Sequence, residues 1–382
     1  MKLIVKLLCG MVLGLLVGQY APLAISRLFA TFESLFSHLL EFTIPFIIVF
    51  FIANGIASLT RNSGKTLGIT VGLSYMSTIT AGLLAAIVGL YMSRYYGDAV
   101  TQTTLVTQDK LVPYFTIQLP ALLDVMSALV VAFIFGVGAQ ASNSTTLQQI
   151  AKEGAQVIEL LLKKIIIPLL PLYIAAVFTN MAHAGSVSST LETYGFVLLL
   201  AIGLHWVYLI ILLCVSAVIS GYNPMKVLSS MLPAYFTAVG TMSSSATIPI
   251  SLKQTQSFLR HPRIAEFTVP LCATIHLAGS TITLVSCTIA VMVMNNQHIP
   301  PLSGLIPFIL MLGIIMVAAP GVPGGGVIAA LGILSSMLGF SEDMLALMIA
   351  LYIAQDSFGT ACNVMGDAAI AMMVEKCCEG KG

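Results

Sequence analysis

An all-α integral membrane protein is the fold class that this sequence predicts, and three observations carry the prediction. Hydrophobic residues make up 58% of the 382 positions and charged residues only 8%, with a mean hydropathy of +1.00. A water-soluble core of this size could not bury so much apolar surface, and its exterior would lack the charge that keeps a soluble protein dispersed. Lipid is therefore the solvent, and a backbone in lipid satisfies its own polar groups as helices or as a closed barrel. Long unbroken apolar runs, such as 197–219 and 308–319, lack the two-residue alternation of barrel strands. Helices remain.

Apolar segments long enough to span fall at about 3–20, 33–59, 66–93, 118–141, 156–181 and 194–220. Polar stretches at 61–65, 95–110, 142–154 and 183–192 separate several of them. The N-terminus superficially suggests a lipoprotein signal ending at Cys9, but Leu8 and the very short basic region before it argue for a retained first helix. The seven cysteines lie mostly inside apolar segments without zinc spacing, and Cys377 and Cys378 fall near a tail expected in the cytoplasm, so they read as small core residues and reduced thiols. A net charge of +1 points to no nucleic-acid partner.

After residue 220 the pattern changes. The apolar stretches at about 224–256 and 300–338 are interrupted midway by small or polar residues, leaving halves too short to cross alone. Each is followed by a long helix with polar residues at mid-depth, expected as a broken helix at about 262–294 and again at about 343–376. Residues 221–382 thus read as two copies of one unit, a re-entrant hairpin and then a broken helix, forming a transport core. Residues 1–220 supply N-terminal helices. Paired interrupted segments of this kind mark a transport site near the bilayer midplane.

Basic residues set the orientation. With the N-terminus in the cytoplasm and both interrupted stretches returning to their own side, thirteen of the sixteen lysines and arginines fall inside, and Arg27, Arg94 and Lys110 fall outside. Both termini are then cytoplasmic, and the two hairpins enter from opposite sides as inverted repeats.

The first hairpin tip carries Ser243, Ser244 and Ser245, whose hydroxyls and freed backbone groups can meet a ligand or simply pack helices. The second tip, Pro320-Gly321-Val322-Pro323-Gly324-Gly325-Gly326, has a phosphate loop's glycines without the Lys-Ser/Thr that nucleotide binding requires. Its prolines stop both helices and its glycines allow close approach to a ligand, which reads as a flexible gate or as a plain loop.

The last helix is the most informative. At about 100° per residue, Asp356, Gly359, Thr360, Asn363 and Asp367 share one stripe. A carboxylate at the centre of a membrane costs about 2.5–3.5 kcal/mol even on lenient insertion scales. Two on one stripe, with no lysine or arginine between 264 and 375, require a cation from elsewhere, or else protonation or water. A substrate ammonium and a metal ion are the obvious cations. The preceding long helix breaks at 270–280, where hydroxyls and carbonyls suit a hard cation. His276 there reads either as a ligand or as a buried hydrogen-bonding residue.

At these residues the chain resembles the dicarboxylate/amino acid:cation symporter family, the glutamate-transporter fold. Four pieces occur in order: the serine-rich tip, Pro-Leu-x-Ala-Thr-Ile at 270–275, Gly-Val-Pro-Gly at 321–324, and Asp-x-x-x-Thr-x-x-Asn-x-x-x-Asp at 356–367. The resemblance implies eight transmembrane helices plus two re-entrant hairpins, an elevator-type mechanism and a homotrimer in a bacterial inner membrane. It implies that the N-terminal helices of residues 1–220 are mainly a scaffold with part of the transport domain. It further implies that Asp356 binds a substrate α-ammonium and that Thr360 and Asn363 contact its carboxylate and amino groups. Ser243, Ser244, Ser245, Val322, Pro323 and Gly324 would close over it beside Gly359. Sodium would be held by Asn363 and Asp367, and at a second position by carbonyls near Cys272, Thr274, Met316, Val317 and Ala319. Tyr75 and Thr78 would fall near a further cation site with His276.

Three departures from the family pattern matter. Relatives that carry acidic amino acids have an arginine where this chain has Gly359, and Met242 stands where a relative has another arginine, so no fixed fork remains for a side-chain carboxylate. His276 and Ala278 replace an asparagine and an aspartate of one cation site. The reading is a symporter for a small, neutral amino acid, coupled to sodium with a proton as a further candidate ion. An acidic amino-acid or dicarboxylate carrier of the same fold is the nearest alternative, and an ion channel lined by the carboxylates is the alternative from another class. An enzyme is not expected, because His205 and His276 lie in different helices without a triad or a two-histidine metal pattern.

Overall fold

The computed structural model describes residues 2–57, 64–101, 111–183, 187–317 and 319–378. Arg61, Lys110 and Lys381, which enter the orientation argument, lie outside them. The described elements are all helical: α1 (Lys2–Tyr20), α2 (Leu23–Ala57), α3 (Gly64–Thr101), α4 (Val125–Ala141), α5 (Thr145–Leu161), α6 (Ile167–His183), α7 (Val187–Ser220), α8 (Pro224–Thr241), α9 (Ser244–Phe258), α10 (Pro262–Ile275), α11 (Ala278–Met294), α12 (Leu302–Met316), α13 (Gly325–Leu338) and α14 (Glu342–Cys378). Six stretches are long and apolar enough to cross a membrane, among them 145–183 with α5 and α6 joined. The join is a five-residue π turn, Leu162–Ile166, just ahead of Pro168. A proline leaves a carbonyl without its donor, and a π turn is one way a helix absorbs that fault.

The two interrupted stretches are helical hairpins, and the sequence explains where each starts and turns. Asn223 caps α8 by accepting from the backbone N–H groups of Met225 at 3.0 Å and Lys226 at 3.4 Å, with Pro224 at the first helical position. Met242 ends α8 in the left-handed region, at φ 54°. Ser243 then caps α9, its hydroxyl accepting from the N–H of Ala246 at 3.2 Å. In the second hairpin Gly324 takes φ 75° to start α13, a conformation that costs a residue without a Cβ little.

Packing divides the helices into two groups. α1, α2, α4, α5 and α6 pack on one another, whereas α3 and α7 pack with α8 to α14. Within the first group α1 meets α6 through Gly10, Gly14 and Gly18. A Cβ on Gly14 would come within 2.8 Å of the Cβ of Phe178, closer than real side chains approach. Small residues on such a seam let two backbones touch where lipid offers no hydrophobic drive to associate. In the second group α10, α11 and α14 form the centre. Over an apolar 18-residue stretch of each, the spans 262–294 and 342–378 are 94% and 89% buried, against 44% for the spans in α3 and α7, which therefore form its outer wall.

Two expectations are corrected. α14 runs unbroken from Glu342 to Cys378, where a broken helix is expected. Its glycines sit against neighbours instead of marking a turn: a Cβ on Gly366 would lie 2.5 Å from Cε1 of the His276 ring, and one on Gly359 3.4 Å from the Gly279 backbone. The stretch 142–154, expected as a polar interval separating two spans, is largely helix α5. Its polar residues form the outer face of an amphipathic helix, and the Ser144 hydroxyl caps it by accepting from Leu147 N–H at 3.2 Å. Buried Glu375 ties the end of α14 to the second group, accepting from the Tyr222 hydroxyl and, at 2.6 Å, from the N–H of His261 just before α10.

Candidate functional site

The broken helix and α14 meet where α11 begins. A helix that starts inside a protein presents backbone N–H groups without partners. Asn363 supplies the partner: its Oδ1 accepts from Gly279 N–H at 2.7 Å and Ser280 N–H at 3.3 Å, and its Nδ2 donates to the Ser280 hydroxyl at 3.0 Å. The side chain that marks the motif on α14 therefore also caps α11 from outside.

About two turns earlier on the same stripe lies Asp356, 4% exposed. Its Oδ2 accepts from the N–H of Gly324 at 2.8 Å, and Thr360 Oγ1 approaches Oδ1 at 3.4 Å. The Tyr352 hydroxyl lies near both Asp356 and Ser280. Every donor to this carboxylate is neutral, and no lysine or arginine reaches it among the described residues. The left-handed turn at Gly324 aims its N–H at the acid, so the second tip is fastened to α14 through that residue.

The two hairpin tips also touch each other. Ser243 Oγ donates to the Gly321 carbonyl at 2.6 Å, Ser244 is buried and Ser245 is exposed. Val322 and Pro323 are half-buried beside Gly324. Ser243, Val322, Pro323 and Gly324 thus stand together over the Asp356 end of α14.

A second polar cluster sits deeper on α14. Asp367 Oδ1 lies 2.9 Å from His276 Nδ1, and both side chains are buried. His276 Nε2 lies 2.8 Å from the Ser77 hydroxyl, which is 2.6 Å from the Tyr208 hydroxyl. The chain of contacts runs from α14 through the helix break to α3 and α7. Both nitrogens of the imidazole are used, and Ala278 supplies no charge.

The other expected cation residues are placed less decisively. Tyr75 donates to the Leu310 carbonyl at 3.1 Å, away from His276, and Thr78 bonds the Ser74 carbonyl of its own helix. Cys272 is buried with its thiol 3.6 Å from the Ser74 hydroxyl, while Thr274 is exposed and bonds its own helix at Leu271. Met316, Val317 and Ala319 form the end of α12, where Ala319 N–H donates to the Met316 carbonyl at 3.4 Å. No hydrogen bond joins Thr274 to these three among the described residues.

Sequence reasoning passed over Ser77, Tyr208 and Tyr352, because a hydroxyl in an apolar helix is common and its partner is set by tertiary packing. It also passed over the surroundings of His205. The Nε2 of this buried residue lies 3.0 Å from both the Gly279 carbonyl and Thr283 Oγ1, and a Cβ on Gly359 would be 3.2 Å from the same Thr283 oxygen.

The residues gathered on α14, the helix break and the two tips are the motifs of one transporter family, and comparison with known proteins decides the matter. The model of the sodium:dicarboxylate symporter family matches residues 3–377. The chain belongs to that family. Its members are transporters, not enzymes, with an elevator-type glutamate-transporter fold. Among relatives, the Caenorhabditis elegans protein glt-4, named as a sodium-dependent excitatory amino acid transporter, is 28% identical over 207 residues, 54% of this chain and 41% of that protein. Excitatory amino acid transporter 5 of Homo sapiens is 29% identical over 206 residues, 54% of this chain and 36% of that protein. Excitatory amino acid transporter 1 of Ambystoma tigrinum is 28% identical over 203 residues, 53% and 37% of the two chains. The matched stretch thus spans less than half the length of these relatives.

Proposed function

We propose that the chain is a sodium-coupled symporter for a small neutral amino acid, with Asp356 holding the substrate ammonium. The observation that carries this reading is the setting of that acid: a buried carboxylate whose donors are all neutral, on a stripe where Gly359 stands in place of an arginine. A desolvated carboxylate needs a cation, and an α-ammonium supplies one. Thr360 and Asn363 flank it, and the tips at 243–245 and 322–324 close over it. The second helix group, α3 with α7 to α14, moves as an elevator against the first, in a homotrimer with both termini cytoplasmic in a bacterial inner membrane.

For coupling, Asp367 and Asn363 hold one sodium ion, and carbonyls around Cys272, Thr274, Met316, Val317 and Ala319 hold another. The site that His276 and Ala278 replace takes no third, and His276 carries a proton in its stead. An imidazole nitrogen already bonded to Asp367, with no second carboxylate at 278, is a poor sodium ligand.

A second reading, transport of an acidic amino acid, has its own support. The relatives' names point to excitatory amino acids, and His205 stands close to Gly359 as a basic residue that could meet a side-chain carboxylate. Competition for uptake in proteoliposomes separates the two. Serine, alanine and threonine are expected to outcompete aspartate and glutamate. In Gly359→Arg the balance shifts toward aspartate by about 10- to 100-fold, since a charge-assisted pair is worth about 1.5–3 kcal/mol. Thr283 must yield slightly to admit the new side chain. Aspartate preferred by the wild type would favour the second reading.

A further inference from the structure

Where the two helix groups meet, α2 packs against α13. His38 and Glu41 lie one turn apart on the same face of α2, and Glu342 opens α14. A ring nitrogen of His38 and one carboxylate oxygen each from Glu41 and Glu342 all lie within 4.8 Å of one another. None of the three belongs to the site on α14, and no reading of the motifs uses them.

Three features of the cluster point to a bound cation. The His38 Nδ1 lies 2.7 Å from the Ser34 carbonyl, an acceptor only, so Nδ1 carries the proton and Nε2 keeps a free lone pair. A ring fixed through its other nitrogen in this way is the usual condition of a metal-binding histidine. Next, neither glutamate is bonded to a lysine or arginine among the described residues, so the two carboxyl groups face each other across a helix interface with only the His38 ring beside them. Finally, both glutamates line one small cleft, together with Ser37, Tyr173 and Leu331. Glu342 taken alone is explained by its place in the first turn of α14, where negative charge suits the helix dipole. That explanation does not bring His38 and Glu41 to it from another helix.

We infer that His38, Glu41 and Glu342 form a divalent transition-metal site, best suited to zinc, that bridges the two helix groups. One imidazole and two carboxylates are ligands of the kind zinc takes, with water in the fourth position, whereas calcium and magnesium prefer oxygen alone. Zinc bonds of about 2.0–2.2 Å require the glutamates to draw in slightly, which their rotatable side chains allow. Because the ligands come from α2 and α14, a bound ion ties the groups together. Slowed transport then follows, a consequence that rests on the proposed sliding of one group against the other.

The test uses the purified full-length protein without amino acid or sodium. Zinc chloride is expected to raise the thermal midpoint at micromolar concentration with one equivalent bound, and magnesium chloride to have no such effect. His38→Ala and Glu342→Gln, one from each helix group, each weaken zinc binding by at least about tenfold, the loss of one ligand. Zinc binding unchanged in both variants, or absent below about a millimolar, overturns the site. In proteoliposomes zinc slows uptake by the wild type and leaves Glu342→Gln unaffected. Zinc bound with uptake unchanged keeps the site and overturns the relative motion of the two groups.

Discussion

Asp356→Asn is expected to abolish amino-acid uptake while expression and folding remain normal. The asparagine keeps an oxygen for the Gly324 N–H and a polar neighbour for Thr360, so the local hydrogen bonds at 2.8 and 3.4 Å have a replacement of the same shape. What is lost is the charge. Truncating one partner of a buried, hydrogen-bonded charge pair costs about 2–5 kcal/mol, which is about 30- to 5,000-fold in substrate affinity. Uptake by Asp356→Asn at the wild-type rate would remove the ammonium role from this residue. A simultaneous loss of thermal stability would instead mark Asp356 as the fastening point of the second tip.

The second large effect is expected at His276, and it falls on stability. In His276→Ala the Asp367 carboxylate keeps its burial and loses its basic neighbour at 2.9 Å, while the Ser77 hydroxyl loses one of its two partners, at 2.8 Å, and keeps Tyr208. Removing one member of a buried pair costs about 3–5 kcal/mol, because the other is left uncompensated. His276→Gln retains an amide N–H to donate and is expected to recover part of that loss. Unfolding of both variants in detergent, followed by temperature or denaturant, checks the order wild type, Gln, Ala. An alanine variant as stable as the wild type would mean that the pair contributes nothing to the fold.

Much of the fold was legible because lipid leaves a chain few options. Spans follow from apolar length, and the two hairpins follow from prolines, glycines and serines placed midway in stretches otherwise fit to cross. Asp356 and Asp367 announced themselves by the cost of a carboxylate at mid-depth. The failures have physical reasons as well. The polar residues of α5 were read as an interval between spans because hydropathy averages over both faces of an amphipathic helix, and only the Ser144 cap signals where it begins. The break expected in α14 did not occur, since Gly359 and Gly366 admit neighbours and impose no turn. Tyr75 and Thr78 were singled out on α3, yet Ser77 is the residue that meets His276. A one-residue difference on a helix is a turn of about 100°, and nothing in a run of hydroxyls on one segment says which of them faces a partner. The cluster of His38, Glu41 and Glu342 was invisible for the same reason, being made by two helices about 300 positions apart.

The central claim is coupled entry of a neutral amino acid with sodium, through a site that has lost one of its cation positions. Reversal potentials for serine flux in proteoliposomes, with the sodium and proton gradients varied separately, test it most directly. The expected result is a reversal potential that moves with the serine and sodium gradients in the proportion of about two sodium ions per serine, with a smaller response to pH that disappears in His276→Gln. A reversal potential indifferent to the sodium gradient would contradict the coupling itself, and three sodium ions per serine would contradict the loss of the site at His276 and Ala278.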